Sequence, residues 1–170
     1  MRDHHEFERF VDDHQLAVWR YALRRAEPAD VDDVVAETFA VAWRRWREAR
    51  AGGRPWLYRT ASFVLANRNR GRARETRLFV ALAALPTDTG QGDLEAVEQR
   101  LAIAGLLQQL SASERELVAL LYWEGLSVRE ASAVLGCTTA AAYVRLHRLR
   151  ARLRRAPSRP AVPEPARRTS

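Results

Sequence analysis

The sequence predicts an all-α protein: two small helical domains joined by a flexible linker, the second of them a helix-turn-helix domain. Three observations predict it. Apolar residues recur at helical spacing along most of the chain, and no strand-like alternation appears. The stretch PTDTGQGD at 86–93 gathers Pro, Gly, Thr and Asp between two such regions. Within 126–154 a short helical segment, a glycine and an arginine-studded helical segment follow one another. The chain divides accordingly into a first domain over 1–77, a linker over 78–93, a second domain over 94–155 and a tail over 156–170. The tail, ending APSRPAVPEPARRTS, is proline-rich and polar and is expected to be disordered.

In the first helix Phe7, Phe10, Val11, His14, Val18, Tyr21 and Ala22 share one face. The chain turns around Glu27-Pro28-Ala29, and Asp30 is placed to cap the next helix, with Asp33 at its third position. That second helix carries a wide apolar face of Val31, Val34, Val35, Thr38, Phe39, Ala42, Trp43 and Trp46, and Gly52-Gly53 is expected to end it. Phe39 and Trp43 are expected to be largely buried. Pro55 opens a third helix reaching about Arg74. Helices resume at about 94–110 and 113–123, where Ser111 and Ser113 are both candidate caps and Ser113 with Glu116 has capping-box spacing. A short helix over 127–135 then stops at Gly136, suited to a left-handed turn. Thr138 caps a last helix bearing Arg145, Arg148, Arg150, Arg152 and Arg154, and Ala131, Val134 and Leu135 should pack against Ala142, Leu146 and Leu149.

The formal net charge is +7, and all 28 basic residues are arginine. Their placement is more informative than their number. Residues 1–43 carry a net −5, residues 44–77 +9, residues 78–128 −5 and residues 129–159 +7. Each acidic block precedes a basic one, as two separate polyanion-binding surfaces would require; two solvated helix faces would give the same pattern. The amino terminus MRDHHEFERF has no apolar run behind it, and no segment has the length of a membrane helix, so a soluble, cytoplasmic protein is expected. A single cysteine, Cys137, excludes an intrachain disulfide and is expected to act as a small buried hydrophobe. His4, His5, His14 and His147 lack metal-ligand spacing, so no metal and no cofactor are expected. No phosphate-cradling glycine loop and no nucleophile beside a histidine suggests an enzyme.

One strip combines two chemistries. In RPWLYRTASFVLANRNR (54–70), Arg54, Arg59, Arg68 and Arg70 alternate with Trp56, Tyr58 and Phe63 and with Asn67 and Asn69. Guanidinium groups suit phosphates, and an aromatic ring offers an unpaired base a stacking surface worth about 1–3 kcal/mol. Unstacking a base costs a few kcal/mol, so such a strip can compensate for opening a duplex. Trp56 and Leu57 are better explained as core; Arg59, Asn67, Arg68 and Arg70 are the better candidates for nucleic acid. In the second domain, the basic helix after the glycine turn is the kind that enters a major groove.

Three segments, in order, resemble the extracytoplasmic-function class of the sigma-70 family, the small two-domain bacterial transcription initiation factors. They are PADVDDVVAETFAVAWRRW (28–46), GGRPWLYRTASFVLANRNRGR (52–72) and LSASERELVALLYWEGLSVREASAVLGC (110–137) with the helix after it. The resemblance implies a subunit without catalysis that binds core RNA polymerase, through the largest subunit's clamp helices and the flap region, and promoter DNA. It implies polymerase contacts at Asp30, Asp33, Val34, Glu37 and Arg44. It implies contacts to the promoter −10 element at Arg54, Arg59, Phe63, Asn67, Arg68 and Arg70. Contacts to the −35 element are implied at Thr138, Thr139, Ala140, Tyr143, Val144, Arg145, His147 and Arg148. An anti-sigma factor is a further candidate partner, since relatives are often held inactive by one.

The sequence departs from the family pattern in two places. Phe63 stands where relatives usually carry an asparagine of the −10 pocket; a ring stacks but cannot read a base edge. Tyr143 and Val144 replace a customary cation and serine of the recognition helix, which weakens arginine-to-guanine readout there and favours contact with thymine methyls. Two rival functions have their own signatures. A stand-alone helix-turn-helix regulator would need only the basic 129–155 block, but usually brings a dimerisation or sensor domain. A metal-dependent nuclease would use Asp12, Asp13, Asp30, Asp32 and Asp33, yet these lie near helix ends where capping accounts for them.

Overall fold

The computed structural model describes residues 2–68 and 109–155. Among them every regular element is helical: α1 (Arg2–Leu23), α2 (Val31–Arg44), α3 (Trp46–Arg68), α4 (Ala112–Tyr122), α5 (Val128–Leu135) and α6 (Thr139–Arg155), with a 3₁₀ turn at Pro28–Asp30 before α2. The expected linker, the helix over 94–108, the tail from 156 and Arg70 lie outside the described residues.

α1, α2 and α3 pack on one another because each presents one apolar face. Val18, Tyr21 and Ala22 of α1, Val31, Val34, Phe39 and Ala42 of α2, and Leu57, Tyr58, Ala61, Val64 and Leu65 of α3 are all buried. Asp30 occupies the cap position of α2, but its side chain accepts no capping hydrogen bond; the preceding 3₁₀ turn already orders the entry. α2 stops at Arg44, earlier than Gly52-Gly53: Arg45 takes φ −118°, ψ 41°. The resulting elbow turns Trp46 onto Phe7 and Phe10, ring centroids 5.4 and 5.3 Å away. It leaves Trp43 46% exposed, against the expectation that it is largely buried; Trp43 packs edge-on against Phe7 at 4.9 Å.

The two glycines act within α3 instead. Gly53 adopts φ 54°, ψ −142°, and bends α3 into two helical pieces, with Pro55 early in the second. At Gly52 a Cβ would lie 2.5 Å from Trp56 Cβ, so the bend leaves no room for a side chain.

In the second half, α4 and α5 start with capping boxes. Ser111 accepts from Glu114 N at 3.3 Å while Glu114 Oε2 accepts from Ser111 N at 2.8 Å. The box expected from Ser113 and Glu116 is not formed, because the helix begins at Ala112 with Ser111 as its cap, which puts Ser113 inside the first turn. A second box, Ser127 with Glu130, opens α5 with the same geometry. These bonds hold the Glu130 carboxyl below its usual pKa, chiefly through Ser127. Burial pushes the Glu114 carboxyl the other way, but bonds to Ser111 and the charge of Arg152 leave it lowered as well. α5 ends at Gly136 in the left-handed conformation, φ 68°, and Thr138 Oγ1 accepts from Ala141 N at 3.1 Å to open α6. The helix-turn-helix thus forms as the sequence predicts, with Ala131, Val134 and Leu146 in one core, while Leu149 joins Leu110 and Ala119 in another.

The two halves do not sit apart. One core cluster joins Tyr21, Ala26, Val34, Tyr58, Ala61 and Leu65 to Leu117, Leu120, Leu126, Ala131, Val134 and Leu146, with α3 packed on α5. At its centre lies a buried charge. Arg25 is 0% exposed; its Nε donates to Glu116 Oε1 at 3.1 Å and its Nη1 to Glu124 Oε1 at 3.4 Å and to the Tyr21 carbonyl at 3.1 Å. Arg24 Nη2 reaches the same Glu124 oxygen at 2.7 Å. The Arg25 guanidinium lies 3.7 Å from the Tyr21 ring centroid, and Tyr21 stacks on Tyr58 at 4.8 Å. Burial alone would lower the pKa of Arg25, but Tyr21, Glu116 and Glu124 raise it. Burial, and then Glu124, push the Tyr58 hydroxyl up to about 12.

Candidate nucleic-acid interface

Helix α6 faces outward along one side. Thr138, Ala140, Tyr143, Val144, His147 and Arg148 are exposed, and Arg145 is half-buried. Thr139 is turned inward, its Oγ1 3.1 Å from Ser132 Oγ, so it locks α5 to α6 rather than projecting from them. Tyr143 and Val144 are 58% and 49% exposed, side by side on this face. Arg145, Arg148, Val144 and Arg152 line a groove that runs to Ser111 and Ser113 on α4. Arg152 is occupied there: it donates to Glu114 Oε1 at 2.7 Å and to the Gln109 carbonyl at 2.7 Å, clamping the end of α6 to the start of α4. The surface that remains is a helix bearing two arginines, a histidine, a phenol and small apolar groups, with no acidic side chain of its own. It offers donors for phosphates and base edges together with methyl contacts.

The strip on α3 is more divided. Arg54 and Asn67 are exposed, and Phe63 is 58% exposed, with the Arg59 guanidinium 5.6 Å from its ring centroid. Leu57 is a core residue, as expected, and Trp56 is half-buried; Tyr58, one of the rings of the strip, is buried as well. Arg59 is not free: its Nη1 donates to the Ala133 carbonyl at 2.6 Å, near the end of α5. Arg68 is not free either. Its Nη1 lies 3.1 Å from Asp33 Oδ2 and its Nε 3.2 Å from Glu37 Oε2, and these bonds to Asp33 and Glu37 raise its pKa.

The expected polymerase-facing set on α2 is only partly presentable. Asp33 and Arg44 are exposed, Asp30 and Glu37 half-buried. Val34 is 0% exposed and belongs to the central core, so it supports this face from beneath and cannot touch a partner. Sequence reasoning missed Arg25 and Glu124, and read Glu116 only as a partner for the Ser113 cap. Nothing in spacing links groups 91 and 99 residues apart; the one available signal was an arginine pair lodged between the apolar positions of Tyr21-Ala22 and Ala26. It missed the Ser127–Glu130 box as well, although serine followed by glutamate three residues later stood in the sequence.

No group of three or more metal-ligating side chains converges among the described residues. No described helix is long and apolar enough to cross a membrane.

Comparison with known proteins gives the surfaces a context. The family model for Sigma-70 region 2 matches residues 10–75, and that for Sigma-70, region 4 matches residues 100–153. The chain is 31% identical over 141 residues to the ECF RNA polymerase sigma factor SigL of Mycobacterium tuberculosis, covering 80% of each protein. It is 32% identical over 161 residues to the RNA polymerase sigma factor NccH of Alcaligenes xylosoxydans xylosoxydans, covering 89% of this chain and 86% of NccH. Among solved structures it is similar to CnrH, in complex with the cytosolic domain of CnrY, at 28% identity and a TM-score of 0.57, covering 87% and 84% of the two chains. It shares its fold with the sigma factor RpoE of Bartonella quintana, solved with the anti-sigma factor NepR, at 24% identity and a TM-score of 0.58, covering 88% and 94%. Two helical halves matching regions 2 and 4 in that order, and relatives of this identity spanning most of the chain, establish that it belongs to the extracytoplasmic-function RNA polymerase sigma factors of the sigma-70 family.

Proposed function

We propose a division of labour within this sigma factor. The first domain, over 1–77, binds core RNA polymerase through the exposed acidic side of α2, with Asp30, Asp33, Glu37 and Arg44, and engages the opened −10 element through Arg54, Arg59, Phe63, Asn67, Arg68 and Arg70. The second, over 94–155, places α6 in the −35 major groove, with Tyr143, Val144, Arg145, His147 and Arg148 toward the bases and Thr138 to Ala140 at the helix start. Residues 78–93 join them. The phosphodiester chemistry belongs to the polymerase, and the chain acts in the cytoplasm, where its polymerase and promoter are.

The observation that carries this reading is the outward face of α6, where Tyr143, Val144, His147 and Arg148 are exposed beside half-buried Arg145, on a helix-turn-helix whose first helix buries Ala131, Ser132 and Val134. A mixed acidic and apolar face suits a basic coiled coil better than it suits DNA, which supports α2 as the polymerase side. The replacement of a −10 pocket asparagine by Phe63 favours stacking over base reading at that point, and Tyr143 with Val144 favours thymine contacts at −35. An anti-sigma partner is proposed from kinship, since CnrH is solved with the cytosolic domain of CnrY.

Run-off transcription by core polymerase with and without the chain, on a library of randomised promoters, tests the reading. Initiation that requires the chain and selects a bipartite sequence is expected. A stand-alone regulator would bind duplex DNA without recruiting core polymerase in a pull-down, and that result would overturn the proposal.

A further inference from the structure

Helix α6 is pinned near both ends. At its start Thr139 Oγ1 lies 3.1 Å from Ser132 Oγ, which itself donates to the Arg129 carbonyl at 2.7 Å. Toward its end Arg152 holds two acceptors at once: Nη1 donates to Glu114 Oε1 and Nη2 to the Gln109 carbonyl, both at 2.7 Å. At 1.5 Å per residue the two pins are about 20 Å apart along the helix. The side chains proposed to read −35 bases, Tyr143, Val144, Arg145, His147 and Arg148, all fall between them. Beneath, Leu149 packs on Leu110 and Ala119. Apolar contact is non-directional, so it holds α6 down without fixing its rotation or pitch. A planar guanidinium fork between two set acceptors does fix them. Spacing alone makes Arg145, Arg148 and Arg152 alike, since all three line one groove with Ser111, Ser113 and Glu114. The structure separates them. The guanidinium groups of Arg145 and Arg148 have no partner among the described residues, whereas that of Arg152 is committed within the chain.

We propose that Arg152 is a positioning residue for −35 recognition: without touching DNA, it sets the pose of α6 through Glu114 and the Gln109 carbonyl, and so aligns the reading side chains with base edges. The inference rests on the assignment of α6 to the −35 groove and adds what holds α6 at the right pitch. Glu114 is the shared anchor. Its Oε2 accepts from Ser111 N at 2.8 Å to open α4, and its Oε1 accepts from Arg152, so one carboxylate ties the start of α4 to the end of α6. The Glu114 side chain is 12% exposed; without Arg152 it is a nearly buried charge left unpaired, beside a face meant for a polyanion. A hydrogen bond to a base edge weakens steeply as its angle falls, while attraction between a guanidinium and a phosphate declines only slowly with distance. Loss of the clamp therefore costs specificity and spares non-specific affinity. For Glu114 the expected sign is opposite to that of simple charge: removing an acid near a DNA-binding face should strengthen binding, but removing the anchor of Arg152 weakens specific recognition.

The test uses the full chain and two labelled duplexes of equal length, one carrying the −35 sequence selected by run-off transcription and one with that sequence scrambled. Fluorescence anisotropy at stepped salt concentrations gives both affinities, after circular dichroism has verified the helicity of each variant. Arg152→Gln and Glu114→Gln should each lower the ratio of the two affinities about ten-fold, the worth of one good base contact. Glutamine at 114 keeps the capping acceptor and loses the charge that Arg152 holds. Scrambled-duplex affinity should stay within about three-fold, with the salt slope unchanged, because no phosphate contact is lost. The double variant should be no worse than either single change, since both remove one bond. Arg152→Lys keeps the charge but not the fork and should restore only part of the ratio. Four results overturn the proposal: an unchanged ratio, an equal fall in both affinities, tighter binding of the selected duplex by Glu114→Gln, or full recovery in Arg152→Lys. A salt slope lowered by about one in Arg152→Gln would make Arg152 a phosphate ligand and overturn it too. Should Arg152→Gln fail to fold, Glu114→Gln and Arg152→Lys decide by the same criteria. An unsubstituted chain that cannot distinguish the two duplexes would instead strike the −35 assignment itself, and the proposal with it.

Discussion

Arg68, near the end of α3, reaches back 31 residues in sequence to Glu37 on α2, Nε to Oε2 at 3.2 Å, and also holds Asp33. A cation proposed for the −10 strand thus neutralises the two carboxylates proposed for polymerase. Both sides are solvent-exposed, so the bonds exchange readily: a basic surface on the polymerase that takes Asp33 and Glu37 releases Arg68 toward DNA.

Glu37→Ala should therefore weaken binding to core polymerase by about two- to five-fold, the range of an exposed charge pair, and leave binding to a −35 duplex unchanged. Arg145→Ala should do the reverse, costing about 1–3 kcal/mol in −35 duplex affinity at fixed salt while sparing polymerase. Equilibrium titrations of both variants against both partners decide it. If each variant weakened both equally, the two surfaces would not be separable.

The capping boxes make a contrast between neighbouring serines. Ser111→Ala and Ser127→Ala each remove an acceptor for a helix-opening N–H and should each cost about 1 kcal/mol, or about 2–4 °C in thermal midpoint for a chain of this size. Ser113→Ala, where sequence spacing put a capping box but the structure puts the first turn of α4, should shift the midpoint by less than about 1 °C, since exposed substitutions away from such features lie within about 0.5 kcal/mol. Thermal denaturation followed by circular dichroism measures all three.

At the bend of α3 the two glycines should fail for different reasons. Gly52→Ala sets a Cβ against Trp56 in a packed site and should cost about 1–3 kcal/mol. Gly53→Ala meets no atom but must hold φ 54°, ψ −142°, a strain of about 1–3 kcal/mol. The atom met at position 52 is the Trp56 Cβ, which only glycine lacks, so Trp56→Gly should recover part of the Gly52→Ala clash while Trp56→Leu does not, and neither should rescue Gly53→Ala.

His14 gives the fold a pH dependence near neutrality. Burial, opposed by Asp13 and helped by Arg54, lowers its pKa from 6.5. The unfolded chain then binds the proton more readily, so the stabilising contribution is complete above about pH 6.5 and is lost as pH falls through the lower folded value. Stability should decline from pH 7 to 5, and His14→Gln should flatten that decline. The lowered carboxylates of Glu114 and Glu130 act in the same direction but only below the ordinary glutamate value of 4.5, so the two windows are distinguishable in chemical denaturation at stepped pH.

Local chemistry determined the helices, the left-handed turn at Gly136, the cap at Thr138 and the exposure of Phe63, Asn67, Tyr143 and Arg148, because each depends on neighbours within one or two turns and on a periodic apolar face. The family could be read for a related reason, since its motifs are short and contiguous. Tertiary structure alone decided which carboxylate caps and which pairs. Ser111 with Glu114 had the same spacing as Ser113 with Glu116; α4 starts at the first pair, and Glu116 turns to a buried guanidinium 91 residues away. It likewise decided that Val34 is core rather than contact, that Trp43 is exposed at an elbow, and that Arg59 and Arg68 are engaged within the chain. The apparent independence of the two halves dissolved for the same reason: a sequence pattern records which faces are apolar, and only the folded chain shows that the faces of the two halves cover each other around Arg25.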